Sequence, residues 1–170
     1  MTIKSTVFKA VLTSLVICSP TYVLANKTKL KVAVIQDAPA SQAIRSGYLE
    51  TSIKKLNRKN TIETTFENNM GLCVAYLQSK NFIKSESACT AAIESIKSLS
   101  LNSKKAQYLK SLSYSNRGVS RYLSKNESGA IDDLTAAILI DSNHVTQSNL
   151  KLMTSPLFDT KDSMSNDLSD

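Results

Sequence analysis

Between Tyr114 and Asn143, small and apolar residues recur at steps of three and four, the pattern of helices buried on one face. The polar stretch 125–127 interrupts this pattern and predicts a tight turn between two antiparallel helices. The buried stripe of the second helix is formed by Ala130, Leu134, Ala137 and Ile138. One helical hairpin cannot bury its own apolar face, so it needs neighbours on both sides. The pattern therefore predicts an all-α fold of packed hairpins.

Three patterned segments precede this hairpin. Residues 29–35 alternate apolar and polar side chains, which predicts an extended segment or short strand within an extended N-terminal region, 26–40. No second strand is predicted, so this segment should lie extended against the helices or pair in a dimer. Residues 41–57 have helical spacing with a break at Gly47, and residues 66–97 form a second hairpin. The helices should therefore begin near residue 41.

The two hairpins are separated by an insert, residues 98–109, which contains neither proline nor glycine. We expect a helix from about Ser103 to Ser124 that joins this insert to the first helix of the second hairpin. A final helix, residues 144–153, closes the helical domain, which spans 41–153. The remaining residues, 154–170, are rich in serine and aspartate and predict a mobile tail.

The hairpin over 111–144 resembles a tetratricopeptide repeat, a helix-turn-helix unit of 34 residues with small residues where its helices touch. Two residues depart from the family pattern: Ser142 stands where proline is usual, and Arg121 where an aromatic is usual. Residues 66–99 resemble a second repeat, and residues 41–57 a degenerate half-repeat. By this resemblance, the helix-packing residues are Cys73, Tyr76, Ala92, Gly118, Ala130, Leu134 and Ala137. The resemblance implies hairpins stacked as a short right-handed solenoid.

In that family, the inner faces of the first helices line a groove that holds an extended or helical peptide. By resemblance, the partner groove would be lined by Met70, Val74, Leu77, Leu112, Val119, Tyr122 and Leu123. Met70 and Val74 stand where some members use lysine and asparagine to clamp a peptide carboxylate, which argues against that type of clamp. The alternative is that the half-repeat or the inserted helix covers several of these residues.

The first 25 residues are typical of a secretory signal peptide. Lys4 and Lys9 make its N-terminal part positively charged, a short apolar run follows, and small residues precede a cleavage site after Ala25. The run is much shorter than the roughly 20 residues that cross a bilayer. We therefore expect a small exported bacterial protein in the periplasm, without stable membrane insertion. An uncleaved anchor and lipidation at Cys18 are the alternatives.

The chain carries a formal net charge of +7, and its basic residues form short clusters without interleaved aromatic residues. Nucleic-acid grooves usually combine the two, so we expect a solvated basic face and no nucleic-acid partner.

The sequence contains no motif typical of catalysis: there is no glycine-rich phosphate loop, nucleophile motif or metal-ligand spacing. The single histidine, His144, is interpreted as a polar loop residue. Asp132 and Asp133 are consecutive in a helix, so their side chains point about 100° apart, and we interpret both as surface residues. We expect no catalytic residue, no metal and no cofactor.

Cys73 and Cys89 would be the only cysteines left after cleavage, and the periplasm is oxidising, so a disulfide is permitted. By the resemblance, both face the interior of one hairpin, but Cys89 lies one helical turn beyond the residue that usually meets Cys73. A disulfide and two buried thiols both stay open, and the offset slightly favours the thiols.

These observations predict a non-catalytic protein-interaction module that binds an unidentified protein or peptide. The alternative is a structural homo-oligomer, for example a homodimer, that buries the same groove. An enzyme is the less favoured third hypothesis.

Overall fold

The computed structural model describes residues 29–58, 65–96 and 103–155. Within these ranges the regular structure is helical, and the predicted all-α class is confirmed. The helices are α1 (Ser41–Arg45), α2 (Leu49–Arg58), α3 (Thr65–Gln78), α4 (Phe82–Ser95), α5 (Ser103–Leu123), α6 (Glu127–Ile140) and α7 (His144–Met153). The predicted signal peptide and all but the first two residues of the predicted tail lie outside the described residues.

The two hairpins, α3–α4 and α5–α6, turn through the same lysine–asparagine pair. Lys80 and Lys125 adopt the left-handed conformation, with φ of 59° and 72°, which ends the preceding helix. The following asparagines begin the next helix, because the Asn81 and Asn126 side chains accept hydrogen bonds from the backbone N–H groups of Lys84 and Gly129.

Consecutive helices pack against one another, and α1, α3, α5 and α7 also contact each other in succession. Residues 29–35 are extended and have no regular structure. They contact both α5 and α7 through hydrogen bonds, so the expectation that this segment lies extended against the helices is confirmed. Residues 29–35 therefore lie across this succession of helices, in contact with α5 and α7.

Gly118 lies at a close contact between α5 and α6. A Cβ atom at Gly118 would stand 3.2 Å from the carbonyl oxygen of Ala130 and 3.0 Å from Cγ of Leu134. The predicted contact between Gly118 and Ala130 is therefore present. The packing residues that are fully buried are Cys73, Ala92, Gly118, Ala130, Leu134 and Ala137, while Tyr76 is partly exposed.

Replacing Ala130 with leucine should lower the free energy of unfolding by about 1–3 kcal/mol, because Ala130 is completely buried beside Gly118 and the added carbons have no space. Urea unfolding measures the change. Thr135→Leu is the matched control, since Thr135 is exposed on the same helix and should change stability by no more than about 0.5 kcal/mol. Equal stability of the two variants would show that the helix register is different.

Cys73 and Cys89 form a disulfide that joins α3 to α4, with their Cα atoms 4.8 Å apart. The slight preference for free thiols is therefore wrong. The residue that faces Cys73 directly is Ser85, whose hydroxyl donates to the Cys73 carbonyl oxygen at 2.9 Å. Because Ser85 is small and bonded to this backbone, the two helices lie close enough for Cys89, one turn further along, to reach Cys73.

Candidate functional site

The residues predicted to line an open groove are largely covered. Met70, Val74, Leu77, Leu112 and Val119 are all buried, whereas Tyr122 and Leu123 are partly exposed. The prediction of an open apolar groove over these residues is therefore wrong. The stated alternative applies in part, because α1 and α2, in the region predicted as a half-repeat, contribute Ile44 and Leu56 to the cluster that buries Val74.

The remaining cover is the N-terminal extended segment, residues 29–35, which we call the resident segment. Its Ala33 lies in one cluster with Phe66, Met70 and Leu112. We call the face of α3, α5 and α7 beneath this segment the asparagine groove, after Asn116 and Asn149, which hold the segment. The chain thus fills its own groove.

Asn116 and Asn149 each bind one residue of the resident segment through both ends of its backbone. The Asn116 side chain accepts from the Ala33 N–H and donates to the Ala33 carbonyl oxygen, both at 2.8 Å. Asn149 does the same with Lys31, at 2.7 and 2.8 Å. The two recognised residues are two apart, which is the side-chain period of an extended chain. The pair of carboxamides therefore recognises an extended backbone.

Both asparagines are buried, and other side chains of the fold also contact their amide nitrogens. Asn149 also donates to Ser115 Oγ at 3.0 Å, and the Asn116 amide nitrogen lies 3.7 Å from the Met70 sulfur. The helix of Asn149 begins with a capping box between Asn143 and Thr146. Without a segment in the groove, both carboxamides would lose these backbone partners, and water would have to replace them. The polar groups of the groove are therefore satisfied by the polypeptide backbone of the resident segment.

Side chains on both sides of the resident segment pack against the helices, and Ala33 is buried whereas Val32 and Val34 are partly buried. Ala33 is 9% exposed, while Val32 and Val34 pack against the cluster that contains Ile44 and Leu56. The cavity left between the segment, its link to α1 and helices α1 and α3 has a volume of only about 10 Å³. On the other side of the segment, Ala33 packs in one cluster with Phe66, Met70 and Leu112. A larger side chain at residue 33 would have to displace these neighbours, so the groove favours a small residue there.

The side chain of Lys31 extends to the rim of the groove. Its ammonium group donates to His144 Nε2 at 2.6 Å and to Ser148 Oγ at 3.1 Å. His144 is exposed and contacts the resident segment. It is the first residue of α7, which agrees with the predicted helix over 144–153 and shows that its interpretation as a loop residue is wrong.

A second polar cluster joins α4, α5 and α6. Asp133 accepts from Arg117 Nε and Nη2 at 2.8 and 2.7 Å, and Arg121 Nη1 lies 3.1 Å from Asp133 Oδ2. Arg121 also pairs with Glu86 at 2.7 Å. Asp133 is 3% exposed, so its interpretation as a surface residue is wrong, whereas Asp132 is exposed. The hydrogen bond to Asp133 raises the pKa of Arg117 above its ordinary value. These ion pairs therefore connect α4, α5 and α6.

Asn116 and Asn149 were not singled out from the sequence. One signal was present: the two asparagines stand 33 positions apart (149 − 116), close to the repeat period of 34. A periodic polar residue inside an apolar pattern is a candidate for binding, because burying it requires a partner.

Comparisons with known proteins found no relative of this chain: no protein-family model, curated protein or solved structure matches it. In the part of the chain that the structure describes, no three histidine, cysteine, aspartate or glutamate residues are placed to hold a metal ion. No helix there has the length and apolar character needed to span a bilayer.

Proposed function

We propose that this protein is a non-catalytic interaction module of the tetratricopeptide-repeat type that binds an extended polypeptide segment in its asparagine groove. The observation that carries the proposal is the paired recognition of the Lys31 and Ala33 backbones by Asn149 and Asn116. Because the two amides contact only the backbone of two alternate residues, they fit an extended chain that has a small residue at the position of Ala33.

The location that we propose is the bacterial periplasm, after removal of a signal peptide at Ala25. The disulfide between Cys73 and Cys89 supports an oxidising compartment, because such bonds are rare where thiols are kept reduced. The partner is a protein or peptide, and the resident segment has the chemistry that such a partner needs.

The test is whether the groove accepts a separate peptide once the resident segment is weakened. In the Ala33→Asp variant of the chain from Asn26 onward, the buried carboxylate should loosen the segment and leave the groove intact. A fluorescent peptide of residues 26–36 should then bind saturably, measured by fluorescence anisotropy. The unchanged chain should bind it far more weakly, because its own segment is present at a high effective concentration.

Two matched controls give this test its specificity. Adding Asn116→Ala and Asn149→Ala to the Ala33→Asp variant should weaken peptide binding at least about tenfold, since two pairs of backbone bonds are lost. A peptide that itself carries aspartate in place of Ala33 should not bind. Equal binding of the two peptides, or no binding by the Ala33→Asp variant, contradicts the proposed function.

A further inference from the structure

The resident segment is joined to α1 by a short link, residues 36–40, whose backbone is strained. Asp37 and Ala40 adopt the left-handed conformation, with φ of 66° and 65°. This conformation is unfavourable for residues with a Cβ atom, and alanine lacks a polar side chain that could compensate. Ala40 is also the N-cap of α1 without a side-chain hydrogen bond. The link therefore opposes the closed position of the segment.

The link is held closed by backbone hydrogen bonds and by the packing of Ala40 against the cluster that contains Ile44 and Leu56. Two backbone hydrogen bonds close it, from Ala38 N–H to the Ile35 carbonyl oxygen at 3.4 Å and from Ser41 N–H to the Ala38 carbonyl oxygen at 3.1 Å. Its outer side borders an open surface depression that includes Asp37, Pro39 and Arg45. Straightening the link would break these two bonds, disturb the packing of Ala40 and release both left-handed residues.

The contacts of the segment itself do not depend on which copy supplies it. The four hydrogen bonds to Asn116 and Asn149, the packing of Ala33 in its apolar cluster and the Lys31 contacts with α7 would form equally well with the segment of a second copy. Such an exchange keeps every bond in the groove and relieves the link. Its cost is the entropy of association, which falls with rising protein concentration.

We infer that two copies of the chain exchange their resident segments, so that residues 29–35 of each copy occupy the asparagine groove of the other. This rests on the proposed function, because the groove must accept the segment as a separable ligand. The second copy is the occupant that fits best, since its segment carries the small Ala33 and the Lys31 that the groove contacts.

Complementation between two defective variants tests the exchange. One copy carries Ala33→Asp, with a defective segment and an intact groove, and the other carries Asn116→Ala and Asn149→Ala, with an intact segment and a defective groove. Native mass spectrometry of the mixture should show a 1:1 heterodimer, because one matched segment and groove exist only between the two. Two populations of monomers would overturn the inference. A dimer formed by the Ala33→Asp variant alone would also overturn it, since that dimer needs another interface.

Variants of the link test the same inference in an otherwise unchanged chain. Asp37→Gly with Ala40→Gly removes the strain and should lower the dimer fraction in light scattering, whereas deletion of residues 38 and 39 should raise it by preventing closure. A dimer fraction that is equal in the three chains would overturn the inference. Peptide binding by the Ala33→Asp variant without heterodimer formation overturns the exchange alone. Loss of peptide binding overturns the proposed function as well.

Discussion

Replacing Asp133 with alanine is expected to lower the free energy of unfolding by about 3 kcal/mol. The Asp133 side chain is 4% exposed and pairs with both Arg117 and Arg121. Its removal leaves the Arg117 guanidinium without its bidentate partner in a largely buried position. We expect the lower end of the usual range for a broken buried pair, because the Arg117 side chain is 15% exposed and Arg121 keeps Glu86. Urea unfolding of the oxidised protein measures this loss.

The neighbouring residue supplies a matched control. Asp132 is exposed on the same helix, so Asp132→Ala should change stability by no more than about 0.5 kcal/mol. The double variant R117M/D133L should be less destabilised than Asp133→Ala alone, because replacing both charges with apolar groups avoids an unpaired buried charge. If Asp133→Ala and Asp132→Ala unfold at the same urea concentration, the ion pairs contribute no net stability.

The error on Asp133 has a physical cause. Consecutive helical residues point about 100° apart. This angle argues against a catalytic pair, but it equally allows Asp133 to be buried while Asp132 is exposed. The partners of Asp133 lie on another helix, 16 and 12 positions earlier, and only the register of α5 against α6 brings them together. The sequence held one local sign of this ion pair: Arg121 stands where the repeat family usually has an aromatic residue, so a charged group replaces an apolar one between the helices.

The helices themselves could be predicted because their signals are local. The final helix was predicted over 144–153 and α7 has those bounds, since Asn143 caps it and apolar spacing continues to Met153. The long helix expected from Ser103 agrees with α5 to within one residue at its end. Caps, turns and spacing are all contained in a few neighbouring residues. The interpretation of the hairpins as a tetratricopeptide solenoid stays a proposal.

The groove could be predicted only in part. Alternation in residues 29–35 predicted an extended segment, but its partners are side-chain amides from helices 83 and 118 positions away. No spacing rule pairs an extended chain with single asparagines on distant helices. Apolar inner residues such as Met70 were therefore assigned to an open surface, whereas they form the floor beneath the segment.

Removing the disulfide is expected to lower the free energy of unfolding by about 3 kcal/mol, which is the loop-entropy value for a closed loop of about 15 residues. The experiment compares the chain from Asn26 onward with its Cys73→Ala, Cys89→Ala variant in urea. Adding reductant during unfolding should lower the stability of the unchanged chain and leave the variant unaffected. Because both cysteines are fully buried, reductant should not react while the protein remains folded.

Thiol counting on the denatured, unreduced protein completes this prediction and links it to export. Protein recovered from the bacterial envelope should have no reactive thiol, whereas protein made without residues 1–25 in the reducing cytoplasm should have two. Two thiols in the envelope sample would contradict the disulfide. Since Ser85 holds the hairpin closed by its own hydrogen bond to Cys73, a chain with free thiols should still fold, with a stability about 3 kcal/mol lower.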